Sequence, residues 1–132
     1  MKLLLTLFVL LMPLTQAWAQ DLETYSEQKT NILLSASQPE FNIKLKANPT
    51  TGYSWFLREY DPRYVITEKH EFKAPENKRL MGAPGFEIWT FKMTPEAFKV
   101  PSQTLLRFVY ARPWDTQNQA SNVVFVISTS DK

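Results

Sequence analysis

The chain has 132 residues, of which 44% are hydrophobic and 14% aromatic, and its 15 basic residues nearly balance its 13 acidic ones. A formal net charge of +2 provides no strongly basic surface, so we expect no nucleic-acid partner. The absence of cysteine excludes disulfide bonds and thiol chemistry. The length and apolar content predict one packed domain.

The N-terminal segment has the pattern of a secretory signal peptide. Lys2 precedes an apolar run from Leu3 to Met12, and small residues stand at both A-x-A positions before a cleavage site after Ala19. The run is about half of the ~20 residues that a membrane-spanning helix needs. We therefore expect residues 1–19 to be removed and residues 20–132 to form a periplasmic or secreted domain without membrane association. A retained anchor or a buried N-terminal helix is the alternative.

From Thr30 onward the apolar residues alternate with polar ones or form short runs, which indicates β-strands. The row of charged residues 68–71 predicts that its strand lies at a sheet edge, where charge discourages pairing with other chains. Residues 94–98 carry a proline suited to one helical turn, and the polar residues 20–29 are expected to be poorly ordered. About seven strands in this length predict an all-β sandwich. The predicted strands are 31–35, 41–46, 53–59, 65–72, 86–93, 104–112 and 122–128.

The residues do not favour an enzyme. The chain has a single histidine, no cysteine and no glycine-rich phosphate loop, and no spacing distinguishes a carboxylate pair for sugar hydrolysis among the 13 acids. Glu68 and His70 are two apart and could share one face of a strand as metal ligands, but a third ligand is not evident, so we interpret them as a solvated edge. We expect no catalytic residue, no cofactor and no metal.

The first unusual segment, which we call the first loop, joins two predicted strands and restricts its own backbone. Proline fixes φ, the two threonines are stiff at χ1, and glycine permits a positive φ. This composition predicts a rigid, protruding loop, although a simple turn has similar chemistry. The first loop comprises Asn48, Pro49, Thr50, Thr51, Gly52 and Tyr53.

The second loop holds two of the three glycines of the chain. Glycine backbone would let another polypeptide approach closely and exchange main-chain hydrogen bonds, although a plain hairpin connection is the alternative. The second loop comprises Gly82, Ala83, Pro84 and Gly85.

The third loop comprises Arg112, Pro113 and Trp114 and follows the predicted strand 104–112. Proline ends that strand and projects the tryptophan into a polar loop. Tryptophan and arginine are enriched at the energetic centres of interfaces. The alternative is that Trp114 folds back on the sandwich edge. Because alternate connections of a sandwich gather at one end, the three loops are expected to form one surface.

These segments resemble those of the chagasin-type inhibitors of cysteine peptidases. Members of that family carry an Asn-Pro-Thr-Thr-Gly-aromatic loop, a glycine-rich loop and an Arg-Pro-Trp loop in this order. The matching positions here are 48–53, 82–85 and 112–114, together with the strand 106–110 before the last motif. Pro84 departs from the pattern, since many members have glycine there.

The resemblance implies an immunoglobulin-like β-sandwich without disulfides that inhibits papain-like cysteine peptidases reversibly and non-covalently. The first loop would cover the catalytic thiolate and imidazole, the second would lie along the non-primed side of the cleft, and Trp114 would pack on the primed side. We expect a monomer. The alternatives are a carbohydrate-binding or adhesion module, in which exposed aromatic residues stack on sugars, and a structural domain of an envelope assembly.

Overall fold

The computed structural model describes residues 21–75, 83–115 and 117–130, and the predicted signal segment 1–19 lies outside them. The described residues form eight strands and two short 3₁₀ turns, Pro49–Thr51 and Pro95–Phe98. Each strand predicted from the sequence is present with its ends shifted by at most two residues. The strands are β1 Thr24–Tyr25, β2 Asn31–Ser35, β3 Glu40–Ala47, β4 Ser54–Glu59, β5 Val65–Lys73, β6 Gly85–Met93, β7 Gln103–Ala111 and β8 Ser121–Ser130.

The strands form two four-stranded sheets, with the orders β1-β3-β6-β5 and β2-β8-β7-β4. Most neighbours are antiparallel, whereas the short N-terminal strands β1 and β2 run parallel to β3 and β8. Strand β5 lies at an edge, as its charged residues predicted. The 3₁₀ turn at 95–98 confirms the predicted helical turn. This arrangement confirms the all-β, immunoglobulin-like sandwich.

The core between the sheets is built on four phenylalanines. Phe41 stacks on Phe91 in one sheet, with ring centroids 5.6 Å apart. Phe91 contacts Phe108 of the other sheet edge-on at 6.1 Å, and Phe108 contacts Phe125 at 5.9 Å. All four are fully buried. Aromatic burial on this scale stabilises the sandwich without a disulfide, since each ring removes a large apolar area from water.

The prediction that residues 20–29 are poorly ordered is wrong for the part that the structure describes. Thr24 and Tyr25 pair with Asn42 and Ile43 of β3, and Tyr25 is only 2% exposed. Burial of Tyr25 and strand pairing with β3 together hold this polar segment against the sheet. Within the described ranges, no helix is long and apolar enough to cross a membrane.

Candidate functional site

Strand pairing brings the three loops to one end of the sandwich. Ala47, which precedes the first loop, pairs with Gly85 at the end of the second loop. Ser54, which follows the first loop, pairs with Ala111 just before the third loop. Paired strands lie about 4.8 Å apart. The first loop therefore lies between the other two, and the three loops share one end of the sandwich, as its topology predicted.

The first loop is held in shape by its own hydrogen bonds. The Asn48 side chain accepts from the backbone N–H of Thr50 at 3.3 Å and from its hydroxyl at 2.6 Å. The Thr51 hydroxyl donates to the Asn48 carbonyl at 2.7 Å. The turn closes with a bond from the Gly52 N–H to the Pro49 carbonyl at 3.1 Å, and Gly52 has a φ of +80°. The exposed tip of the loop is thus fixed before any partner arrives.

The third loop is a tight turn that presents Trp114 to solvent. The Asp115 N–H donates to the Arg112 carbonyl at 3.0 Å, which places Pro113 at the second position of a β-turn, where proline is favoured. Trp114 is 74% exposed, so it does not fold back on the sandwich edge. Its indole instead leans toward the first loop, since a Cβ on Gly52 would lie 3.0 Å from Cη2 of Trp114.

Arg112 links the third loop to the first. Its guanidinium lies 4.7 Å from the ring centroid of Tyr53 and 5.9 Å from that of Trp114. Attraction between the cation and the ring faces contributes about 0.5–1 kcal/mol at an exposed site. The two loops therefore form one connected surface.

Of the second loop the structure describes Ala83, Pro84 and Gly85, while Gly82 lies outside the described residues. Gly85 is buried, and a Cβ there would overlap the carbonyl oxygen of Lys73 and the ring of Phe72. The backbone that approaches Gly85 is therefore that of β5 in the same chain. For Gly85, the close approach that the glycines predicted for another polypeptide is thus made within the chain.

Tyr110 is a residue of this end that sequence reasoning did not select. Its hydroxyl accepts from the backbone N–H of Asn48 at 3.0 Å. Its ring lies between those of Tyr53 and Trp55, with centroid distances of 5.3 and 5.0 Å. Its signals in the sequence are its position two residues before Arg112 on an alternating strand and its place at the end of the matched strand 106–110.

Below the first loop, a buried carboxylate joins the two sheets. Glu87 of β6 is 5% exposed and accepts the backbone N–H of Trp55 on β4 at 2.9 Å. Its other oxygen lies 2.8 Å from Nε2 of His70, whose ring stacks on Trp89 at 3.7 Å. His70 is therefore a partner of Glu87 and not simply part of a solvated edge. No group of three or more possible metal ligands occurs in the described ranges.

A shallow cavity of about 240 Å³ lies between the first loop and β5. Its lining includes Pro49 and Tyr53 on the loop side and His70 and Phe72 on the strand side. A larger cavity of about 690 Å³ is lined by residues of 21–40 and by Ser130, and none of the three loops contributes to it. The described part of the loop end thus exposes protruding turns beside this small recess.

Comparison with known proteins adds an independent finding. The family model described as chagasin family peptidase inhibitor I42 matches residues 36–128. No curated protein sequence matches the chain. Among solved structures, the cysteine protease inhibitor EhICP2 from Entamoeba histolytica is 20% identical, with a TM-score of 0.66 over 82% of this chain and 95% of that one.

Two further solved structures share the fold. Amebosin, in its solution structure, is 21% identical with a TM-score of 0.54 over 84% of this chain and 98% of its own. PbICP-C, in complex with falcipain-2, is 16% identical with a TM-score of 0.51 over 83% of this chain and 88% of its own. These likenesses agree with the sandwich described above.

Proposed function

The chain belongs to the chagasin family of peptidase inhibitors, and from this premise we propose that its three loops block the active-site cleft of papain-like cysteine peptidases. Because this family consists of peptidase inhibitors, its match agrees with the expectation that the chain is not an enzyme. The observation that carries the proposal is the strand register, which sets the first loop between the second and third. Support for a cysteine peptidase as the target comes from EhICP2, a cysteine protease inhibitor, and from PbICP-C, which is bound to falcipain-2.

In this proposal the first loop enters the cleft and covers the catalytic thiolate and imidazole. Its tip is exposed and consists of Pro49, Thr50 and Thr51. Because internal hydrogen bonds already hold the tip, little conformational entropy is lost on docking, and more of the contact energy becomes affinity. Inhibition is reversible because no covalent bond forms, and substrate is excluded by the loop itself.

The stiffness of the first loop also explains how it would avoid being cut. Cleavage requires a peptide bond aligned with the attacking thiolate at near-attack geometry. A 3₁₀ turn closed by the bond between the Gly52 N–H and the Pro49 carbonyl does not extend into a substrate strand without losing that bond. The loop therefore occupies the cleft without acting as a substrate.

The flanking loops would supply the remaining contacts. Trp114 presents a large, exposed aromatic surface, the side-chain type that most often dominates interface energetics. Gly82, Ala83, Pro84 and Gly85 would lie along the non-primed side of the cleft. Three adjacent loops can supply the ~1,600 Å² that an ordinary inhibitor interface buries in total.

Titration of papain with the domain 20–132 tests the proposal. We expect tight, reversible inhibition by an uncleaved protein, and Trp114→Ala should raise the inhibition constant about thirtyfold, equivalent to about 2 kcal/mol. Leu33→Ala is the matched control, because Leu33 is 69% exposed but lies on β2, opposite Ser128 and far along β8 from the loops.

An inhibition constant unaffected by Trp114→Ala would contradict the role of the third loop. Failure of the wild-type chain to inhibit papain and a cathepsin would contradict the proposal as a whole. If Trp114→Ala instead abolished polysaccharide binding while peptidases stayed active throughout, the carbohydrate-binding alternative would be correct.

We also propose that the chain is exported and acts in the periplasm or outside the cell. Support comes from the signal-peptide pattern, with Lys2 before the apolar run and small residues Ala17 and Ala19 at the cleavage site. N-terminal sequencing of the protein from a periplasmic fraction should begin at Gln20. Recovery of the uncleaved chain in the membrane fraction would contradict this.

A further inference from the structure

A column of side chains runs from the third loop through the first loop into the sandwich. The Arg112 guanidinium lies 4.7 Å from the Tyr53 ring, Tyr53 lies 5.3 Å from Tyr110, and Tyr110 lies 5.0 Å from Trp55. The column ends at a fixed point, since the Trp55 indole N–H donates to the carbonyl of Lys46 at 3.0 Å. Trp55 is buried, so the base of the column is part of the core.

Tyr110 is the member of this column that contacts both ends of the first loop. At the beginning of the loop, its hydroxyl accepts the Asn48 N–H at 3.0 Å and lies 3.5 Å from the Asn48 carbonyl oxygen. At the end of the loop, its ring packs on Tyr53. Tyr110 itself sits on β7, where it pairs with Trp55 on one side and Ser121 on the other. One side chain of a central strand thus connects the loop to the sandwich.

The hydrogen bonds inside the first loop and the contacts of Tyr110 have different consequences. The bonds among Asn48, Thr50 and Thr51 determine the shape of the turn. They do not determine the angle at which the turn leaves the sandwich, because every one of them joins residues within the turn. That angle depends on contacts between the loop and the strands below it.

We propose that Tyr110 is a positioning residue for peptidase inhibition, which holds the first loop at the angle that enters the cleft. This inference rests on the proposed function of the first loop. Tyr110 acts through Asn48 and Tyr53, and its half-buried side chain lies beneath the loop. Arg112 extends the same column above Tyr53, so the third loop supports the first as well as flanking it.

A positioning role has a kinetic consequence that a direct contact does not have. If the loop samples other angles in the free protein, only the fraction in the competent state can bind, and the association rate constant falls by that fraction. The bound complex is unchanged, so the dissociation rate constant stays the same. Loss of a direct contact instead raises the dissociation rate constant.

The test compares Tyr110→Phe with the wild type in stopped-flow and progress-curve measurements of papain inhibition. This change keeps the ring and removes only the hydroxyl. We expect the association rate constant to fall by up to about fivefold, the limit set by the loss of one ordinary hydrogen bond of about 1 kcal/mol, with the dissociation rate constant unchanged. Trp114→Ala should instead raise the dissociation rate constant and leave the association rate constant near its wild-type value.

Tyr25→Phe is the matched control for stability. Burial and a hydrogen bond with Glu23 raise the pKa of Tyr25 to about 12, so its hydroxyl is also engaged. Tyr25 pairs with Ile43 in the middle of β3, away from the loops. We expect Tyr25→Phe to lower thermal stability while leaving both rate constants at the wild-type values, which separates positioning from general stabilisation.

Wild-type rate constants for Tyr110→Phe would overturn this inference while leaving the proposed function intact, because the wild type would still inhibit. No inhibition by the wild type would overturn both. If Tyr110→Phe does not fold, amide hydrogen exchange in the wild-type protein decides: slow exchange at Asn48 supports the bond to Tyr110, and exchange at the rate of an open loop overturns it.

Discussion

Replacing Gly52 with alanine tests whether the first loop needs a left-handed backbone. Gly52 has a φ of +80°, a region that costs an L-residue about 1–2 kcal/mol. A Cβ there would also lie 3.0 Å from Cη2 of Trp114. That indole is 74% exposed and can move by the few tenths of an ångström required. Most of the cost therefore comes from the backbone.

This cost divides between folding and binding. If the loop of Gly52→Ala keeps its shape, the strain lowers the free energy of unfolding, and the melting temperature falls by roughly 4 °C for each kcal/mol in a domain of this size. If the loop relaxes in the free protein, stability is preserved and the strain must be restored on docking. The inhibition constant then rises about 5- to 30-fold for 1–2 kcal/mol. The sum of the two losses should equal the strain.

The assay combines thermal unfolding with papain inhibition for the wild type, Gly52→Ala and Gly52→Asn. Asparagine adopts the left-handed region more readily than alanine, so it should recover much of the backbone cost while still presenting a Cβ to Trp114. Equal losses for both variants would show that the contact with the indole dominates. Wild-type stability and inhibition for Gly52→Ala would refute the reasoning.

Two further substitutions concern the support of the loops. Gly85→Ala should destabilise the domain by about 3 kcal/mol in urea unfolding, because its Cβ would overlap the backbone of Lys73 and force β5 away from β6; unchanged stability would show that β5 shifts without cost. Glu87→Ala should cost about 1–3 kcal/mol, since the buried N–H of Trp55 loses its acceptor. Glu87→Gln keeps an acceptor and should cost less, and equal values for the two variants would contradict this role of Glu87.

The strands of this fold are predictable because their signals are local. Alternation around Phe41, Ile43 and Leu45 and the prolines and glycines between runs place each long strand within two residues of its position. Strand β1 has no such pattern, since only Tyr25 of its two residues is apolar. Strand β1 forms because it pairs in parallel with β3. Such a contact between distant segments leaves no local periodicity in the sequence.

The loops of the site were predictable for a similar reason, and their supports were not. Turn chemistry marks the first and third loops in the sequence, whereas the bond between Asn48 and Tyr110 joins residues 62 positions apart. Glu87 did have a detectable signal, because it shares the inward face of β6 with Phe91 and Met93. A carboxylate at a core position requires hydrogen-bond partners, and here they are the buried N–H of Trp55 and Nε2 of the more exposed His70.

The structure separates residues that shape the first loop from residues that hold the sandwich below it. Thr50 and Thr51 are exposed, and their hydroxyls donate hydrogen bonds to Asn48 within the turn, so changing them removes little buried surface. Gly85 and Glu87 are buried between strands, and changing them affects packing first. Substitutions at Thr50 or Thr51 should therefore weaken binding more than folding, whereas substitutions at Gly85 or Glu87 should weaken folding more than binding. Tyr110 lies between these limits, since it belongs to β7 but contacts both ends of the loop.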